Sequence, residues 1–155
     1  MRGVVRHVQV LLAAAGMAVT VAEPAAASAV GYAKVSGFCY TVQSHDLCVP
    51  WTTLGHFIQG AGKRITRQEA SIQDSVGLDS AGRSWCNWRI DWRYSDTDGR
   101  TYQVSRGAIH HGCDGWNAIG RIDKAKRTLK HYGKACADFY VNGSKHASQC
   151  HYITK

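Results

Sequence analysis

The chain contains no Cys-x-x-Cys pair. That argues against a structural zinc site, whose cysteine ligands ordinarily come as closely spaced couples. Compact signatures that name a reaction are missing as well. Gly60-Ala61-Gly62-Lys63-Arg64 looks like a phosphate loop but lacks the earlier glycine and the following Ser or Thr, so it reads as a turn or bulge. Asp96-Thr97-Asp98-Gly99 begins like a calcium loop, but the later ligands and the closing Glu are absent. Ser84 and Ser105 have no nucleophile-elbow context. There is no internal repeat, low-complexity tract or linker, and hence no second domain. The apolar stretch Val8 to Val21 is too short and too rich in Ala and Gly for a membrane span.

What is present is a leader and a set of cysteines. Residues 1–29 combine a basic start (Arg2, Arg6), that apolar stretch and the small residues Ala27-Ser28-Ala29. This is the layout of a secretory signal cut before Val30. Removing 29 of 155 residues leaves 126, Val30 to Lys155, the length of one extracellular domain. All six cysteines, Cys39, Cys48, Cys86, Cys113, Cys136 and Cys150, fall in that part. An even count outside the cell predicts three disulfides. Arg2, Arg6 and Glu23 leave with the leader, so 17 Lys and Arg face 10 Asp and Glu, a net charge of +7. That surplus attracts acidic surfaces; it also suits a plain soluble protein.

Hairpins organise the chain. Cys86, Trp88, Ile90, Trp92 and Tyr94 alternate with Asn87, Arg89, Asp91 and Arg93, the period of a strand with one buried face. A three-residue loop, Thr97-Asp98-Gly99, would pair Asp96 with Arg100, Tyr94 with Tyr102 and Trp92 with Val104. Asn142-Gly143 marks a second hairpin between residues 135 and 153. A two-residue loop there puts Cys136 and Cys150 on opposite faces. Either the loop is odd or these cysteines have other partners. A third hairpin with an even loop centred on Gln43-Ser44 sets Cys39 opposite Cys48. The first-choice pairing is 39–48, 86–113 and 136–150, with the other connectivities left open. Strands are expected around Phe57-Ile58 and from Ile65 to Ile72, with a kink at Gly60-Ala61-Gly62. Val30 to Gly37 reads as an arm or an edge strand. Ile119 to Lys130 is expected to be a short helix, with Ile119, Ile122 and Leu129 near one face and Gly133 beyond its end. The predicted fold is mainly β: a small disulfide-stapled antiparallel β-sandwich or β-barrel-like domain with one short basic helix.

Few residues nominate chemistry. His110-His111 beside Asp114 is the most enzyme-like cluster, but neighbours on a strand point to opposite faces and cannot readily share a metal. His131, His146 and His151, with His110 and Arg106, offer a ribonuclease-like alternative in which a histidine protonates a leaving oxygen. No cofactor is implied. Asn142-Gly143-Ser144 matches a glycosylation sequon, although a turn accounts for it. Binding candidates are Trp51 and Trp116, aromatic residues in loop-like segments. To these the expected helix adds Arg121, Lys124, Arg127 and Lys130, a positive face for an acidic protein or, less favoured, nucleic acid.

The segments CNWRIDWRYSDTDGRTY (Cys86 to Tyr102), YGKACADFYVNG (Tyr132 to Gly143) and QCHYI (Gln149 to Ile153) resemble small secreted proteins of Streptomyces, of the adaptor-subunit type in umbrella toxin particles. In those particles the adaptor joins a lectin-like protein to a long toxin-bearing chain. The resemblance covers about half of the exported chain, and no binding residue carries over. It implies a non-enzymatic assembly subunit in antagonism between bacteria, with other secreted subunits as partners. The expected function is therefore a secreted protein-binding adaptor. The alternatives are a small basic hydrolase or a secreted inhibitor or antimicrobial.

Overall fold

The computed structural model describes residues 27–42, 45–74 and 84–155, apart from the side chains of 27 and 37–51. Of the expected leader, only Ala27 to Ala29 lies within this range. Ten strands are described: β1 (Ala27–Val42), β2 (His45–Ala61), β3 (Arg64–Asp74), β4 (Ser84–Ser95), β5 (Thr101–Ser105), β6 (His110–Gly115), β7 (Gly120–Asp123), β8 (Arg127–Thr128), β9 (Gly133–Val141) and β10 (Ser144–Ile153). They form two antiparallel sheets. The first runs β1-β2-β3-β7, with β8 also on β3. The second runs β10-β9-β4-β5, with β6 also on β4. The mainly β prediction stands.

One apolar cluster draws on both sheets. Leu54, Ile58, Ile65 and Ile72 come from the first sheet; Trp88, Ile90, Trp92, Tyr94 and Phe139 come from the second. Trp88 through Tyr94 bury the alternate positions that the sequence marked. Each such large side chain contributes about 1.5–3 kcal/mol when it leaves water. The expected strands at Phe57 and Ile65 to Ile72 lie in β2 and β3. They turn at Gly62, whose φ of +51° is the left-handed conformation glycine tolerates best.

Two hairpins correct the expected registers, and for the same reason. The loop after β4 forms as expected: Gly99 has φ +82°, and the Asp96 amide donates to the Arg100 carbonyl at 3.0 Å. Ser95 then faces Thr101. Past that pair the register slips by one, because Tyr102 is an extra residue between Ser95↔Thr101 and Tyr94↔Gln103. The bulge sets Val104 opposite Arg93 instead of Trp92 and leaves it exposed. Tyr102 is half-buried, and its hydroxyl donates to the His131 carbonyl at 3.3 Å.

At Asn142-Gly143 the loop has the expected two residues, both with positive φ (48° and 80°). Cys136 and Cys150 are nevertheless direct partners and form a disulfide, with Cα atoms 4.0 Å apart. A bulge at His146 restores the parity that the even loop removes. The choice between an odd loop and other partners was incomplete. Cys86 and Cys113 are likewise register partners on β4 and β6 and are bonded. Cys39 and Cys48 stand opposite each other in the β1–β2 register, but their side chains lie outside the description. Gly143→Ala forces a side chain into the left-handed region with nothing nearby to clash with. It should cost about 1 kcal/mol in urea unfolding.

The expected helix over Ile119 to Lys130 is absent. A single 3₁₀ turn at Trp116–Ala118 leads into β7 and β8, which pair with β3. Ile119 and Leu129 are buried as expected, but Ile122 is 56% exposed. A helix would carry Ile119 and Ile122 on one face; the extended chain turns them apart. The backbone of β3 needs partners on its second side, and this segment supplies them. The Ile72 amide donates to Ile119 and the Leu129 amide to Lys63.

Candidate functional site

Among the described residues, β1 is the outer strand of the first sheet and pairs only with β2 there. Of the two readings of Val30 to Gly37, the edge strand is what forms. Alternation from Ser28 to Val35 sends Ala29 and Val35 toward the core cluster and Val30 and Tyr32 outward, the latter two each 58% exposed. The pairing continues this outer face across four strands: Val30 lies opposite Phe57, Phe57 opposite Glu69, and Glu69 opposite Ile122. Partners in register share a face, so these residues make one band. Beside Phe57, Gly55 is the floor of a shallow trough walled by Tyr32, Phe57 and Gln73. A Cβ at Gly55 would sit 2.9 Å from the Gln73 amide nitrogen and 3.3 Å from the Tyr32 ring, so glycine keeps the trough open. Arg67 holds Glu69 at 2.7 Å and lies 5.8 Å from the Phe57 ring. A strand with no pairing partner beyond β2 among the described residues, with exposed apolar side chains beside it, suits strand addition by another chain.

The nominated side chains lie apart from this face or turn inward. Trp116 is half-buried against the core cluster, and the Trp51 side chain lies outside the description. Arg121 reaches into the protein. Its guanidinium donates to the carbonyls of Ile90 and Ser105, both at 2.8 Å, and lies 4.9 Å from the Trp92 ring. It thus ties β7 of one sheet to β4 and β5 of the other. Arg127 pairs with Asp123 and lies 5.7 Å from the Tyr94 ring. Lys124 and Lys130 are exposed, but without the helix they share no helical face with the two arginines.

The histidines rest on different partners. His110 stacks on Trp88 at 3.8 Å, with the Trp88 indole donating to Asp114 at 2.6 Å. His131 meets Tyr102, and His146 meets Trp85. His151 lies 4.8 Å from His56. Among the described residues, no group of three or more His, Cys, Asp or Glu is placed to hold a metal ion. No described helix is long and apolar enough to cross a membrane.

The sequence reading missed His56, which is 1% exposed. Its Nδ1 donates to the Gln149 carbonyl at 3.2 Å, and Nε2 accepts from the Gln68 amide at 3.1 Å. Gln68 in turn accepts from the Tyr94 hydroxyl at 2.9 Å, and His151 donates to the His56 carbonyl at 2.9 Å. Burial, with the neighbouring His151 second, pushes the His56 pKa down to about 3. Burial also pushes the Tyr94 hydroxyl up to about 12. This is a neutral polar network between the sheets, with each member satisfied by the next. Its one sequence signal was position: His56 shares the inward parity of Leu54 and Ile58.

Comparison with protein-family models, with curated proteins and with solved structures finds no match for this chain.

Proposed function

We propose that this chain is a secreted, non-catalytic protein-binding module, a sandwich-like scaffold stapled by disulfides that serves as an adaptor subunit in an extracellular antibacterial complex. The observation that carries the reading is the outer strand β1, with Val30 and Tyr32 exposed beside Phe57 on the same face. Such an edge offers hydrogen bonds along its backbone and apolar anchors at alternate residues, the two components of strand addition. The disulfide-bonded pairs Cys86–Cys113 and Cys136–Cys150 support the same reading, because such links persist in oxidising surroundings.

Purification of the tagged protein from culture fluid tests it. A second secreted protein should accompany it in fixed ratio. The double variant V30D/Y32A, altered only at exposed positions, should recover at least about tenfold less of that protein. Monomer alone at every growth stage would overturn the proposal. So would RNA cleavage by the pure protein that His110→Ala abolishes.

A further inference from the structure

The first residues of β1 belong to the expected leader, and they occupy a place in the fold. Ala27, Ser28 and Ala29 pair with Gly60, Gln59 and Ile58 of β2. Ala29 packs against the core cluster. With Ser28 it lines a cavity of about 350 Å³ whose walls include Ile58, Ile65 and Ile153 and two cations, Arg64 and Lys155. Cleavage before Val30 adds water across the Ala29–Val30 amide. The C–N bond breaks, Ala29 leaves as a carboxylate, and Val30 keeps an ammonium. Departure of the leader uncovers the backbone of Ile58 to Gly60 on the side that β1 had covered and removes part of the cavity lining.

We propose that export thereby creates a receptor strand. Residues Ile58 to Gly60 of the mature chain accept the C-terminal end of an extended segment from a partner protein. Direction fixes the end that binds. A strand replacing Ala27 to Ala29 and running the same way as β1 is stopped by Val30, so it must finish there. Its carboxylate then meets the new Val30 ammonium, with Arg64 and Lys155 adding positive charge nearby. Its last side chain takes the inward position of Ala29, where the cavity has room for more than a methyl group. The occupant is thus a partner chain ending in a branched apolar residue with a free carboxylate. The proposal rests on the secreted reading above and adds the class of ligand that the site takes.

The intact mass of the exported protein comes first. A chain beginning elsewhere than Val30 would overturn both the leader reading and the receptor strand. Given Val30, labelled peptides are titrated and followed by fluorescence anisotropy. One is Ala-Ala-Ala-Ser-Ala, the leader's own end; the other carries Ile in the last place. The Ile peptide should bind at least about tenfold more tightly, since its larger side chain buries more apolar surface in the cavity. Amidation of its carboxylate should weaken it several-fold. A chain produced with Ala27 to Ala29 retained should not bind it. Equal affinity for the two peptides, no binding to the Val30 form, or undiminished binding to the retained form would each overturn the proposal while leaving secretion intact. A dimer of the mature chain that the peptide dissociates would assign the edge to a second copy and equally overturn it.

Discussion

Arg93→Met is expected to lower the unfolding free energy by about 3 kcal/mol or more, because it leaves a buried carboxylate without its cation. Asp138 is 1% exposed and receives Arg93 Nε at 2.6 Å, Arg93 Nη2 at 3.1 Å and the Ser148 hydroxyl at 2.5 Å. Burial alone would raise this carboxyl; the hydrogen bonds from Arg93 and Ser148 outweigh it and hold the pKa below the ordinary carboxylate range. The cost has a second source. Asp91, also buried, faces Asp138 directly across β4 and β9. Like charges in register repel, and separate cations offset this: Arg89 for Asp91 at 3.1 Å and Arg93 for Asp138. Arg93→Lys should recover only part of the loss, since an ammonium cannot reproduce the two-pronged contact. In the Met background, Asp138→Leu should recover most of it by removing the stranded charge. Urea unfolding with the disulfides intact measures all three. A loss under about 0.5 kcal/mol for Arg93→Met would show that this ion pair behaves as a surface pair.

Local chemistry made the turns legible. Asp-Gly and Asn-Gly marked both hairpin loops, and alternation marked the buried face of β4. The bulges were not legible. A bulge at Tyr102 or His146 adds one residue and reverses the parity of every later pair, yet nothing in the local sequence requires it. Tyr102 sits where its hydroxyl reaches His131, 29 residues away. The Cys136–Cys150 bond closes only if the strand slips by one. Long-range closure sets both registers. The same holds for β7: Ile119, Ile122 and Leu129 fit helical spacing, but the open side of β3 takes the segment as strand. Of the candidate site, the edge-strand reading of Val30 to Gly37 was available from the sequence. The glycine-floored trough was not, because Tyr32, Gly55 and Gln73 meet only through the pairing of three strands.

Acidification from about pH 7.5 to about pH 4.5 should cost about 2–3 kcal/mol through His56 alone. The sign follows from its lowered pKa. The unfolded chain takes up a proton on this ring near its ordinary value of 6.5, whereas the folded chain refuses it until about 3. In that interval the unfolded state binds more protons, so stability is full above about 6.5 and falls as the pH drops toward 3. The structural cause is the network itself. Nδ1 spends its hydrogen on the Gln149 carbonyl, and Nε2 faces the amide nitrogen of Gln68, so a second proton would set two donors against each other. His151 lies 4.8 Å away and adds repulsion if both rings charge. Holding the pH above about 4.5 keeps most of the carboxylate contribution, Asp138 included, out of the measurement. His56→Gln will itself destabilise the protein, so the informative quantity is the difference between the two pH values for each form. That difference should shrink by about 2 kcal/mol in the variant. An unchanged difference would mean that His56 charges as readily inside the fold as outside it, and the closed polar network between the sheets would then be wrong.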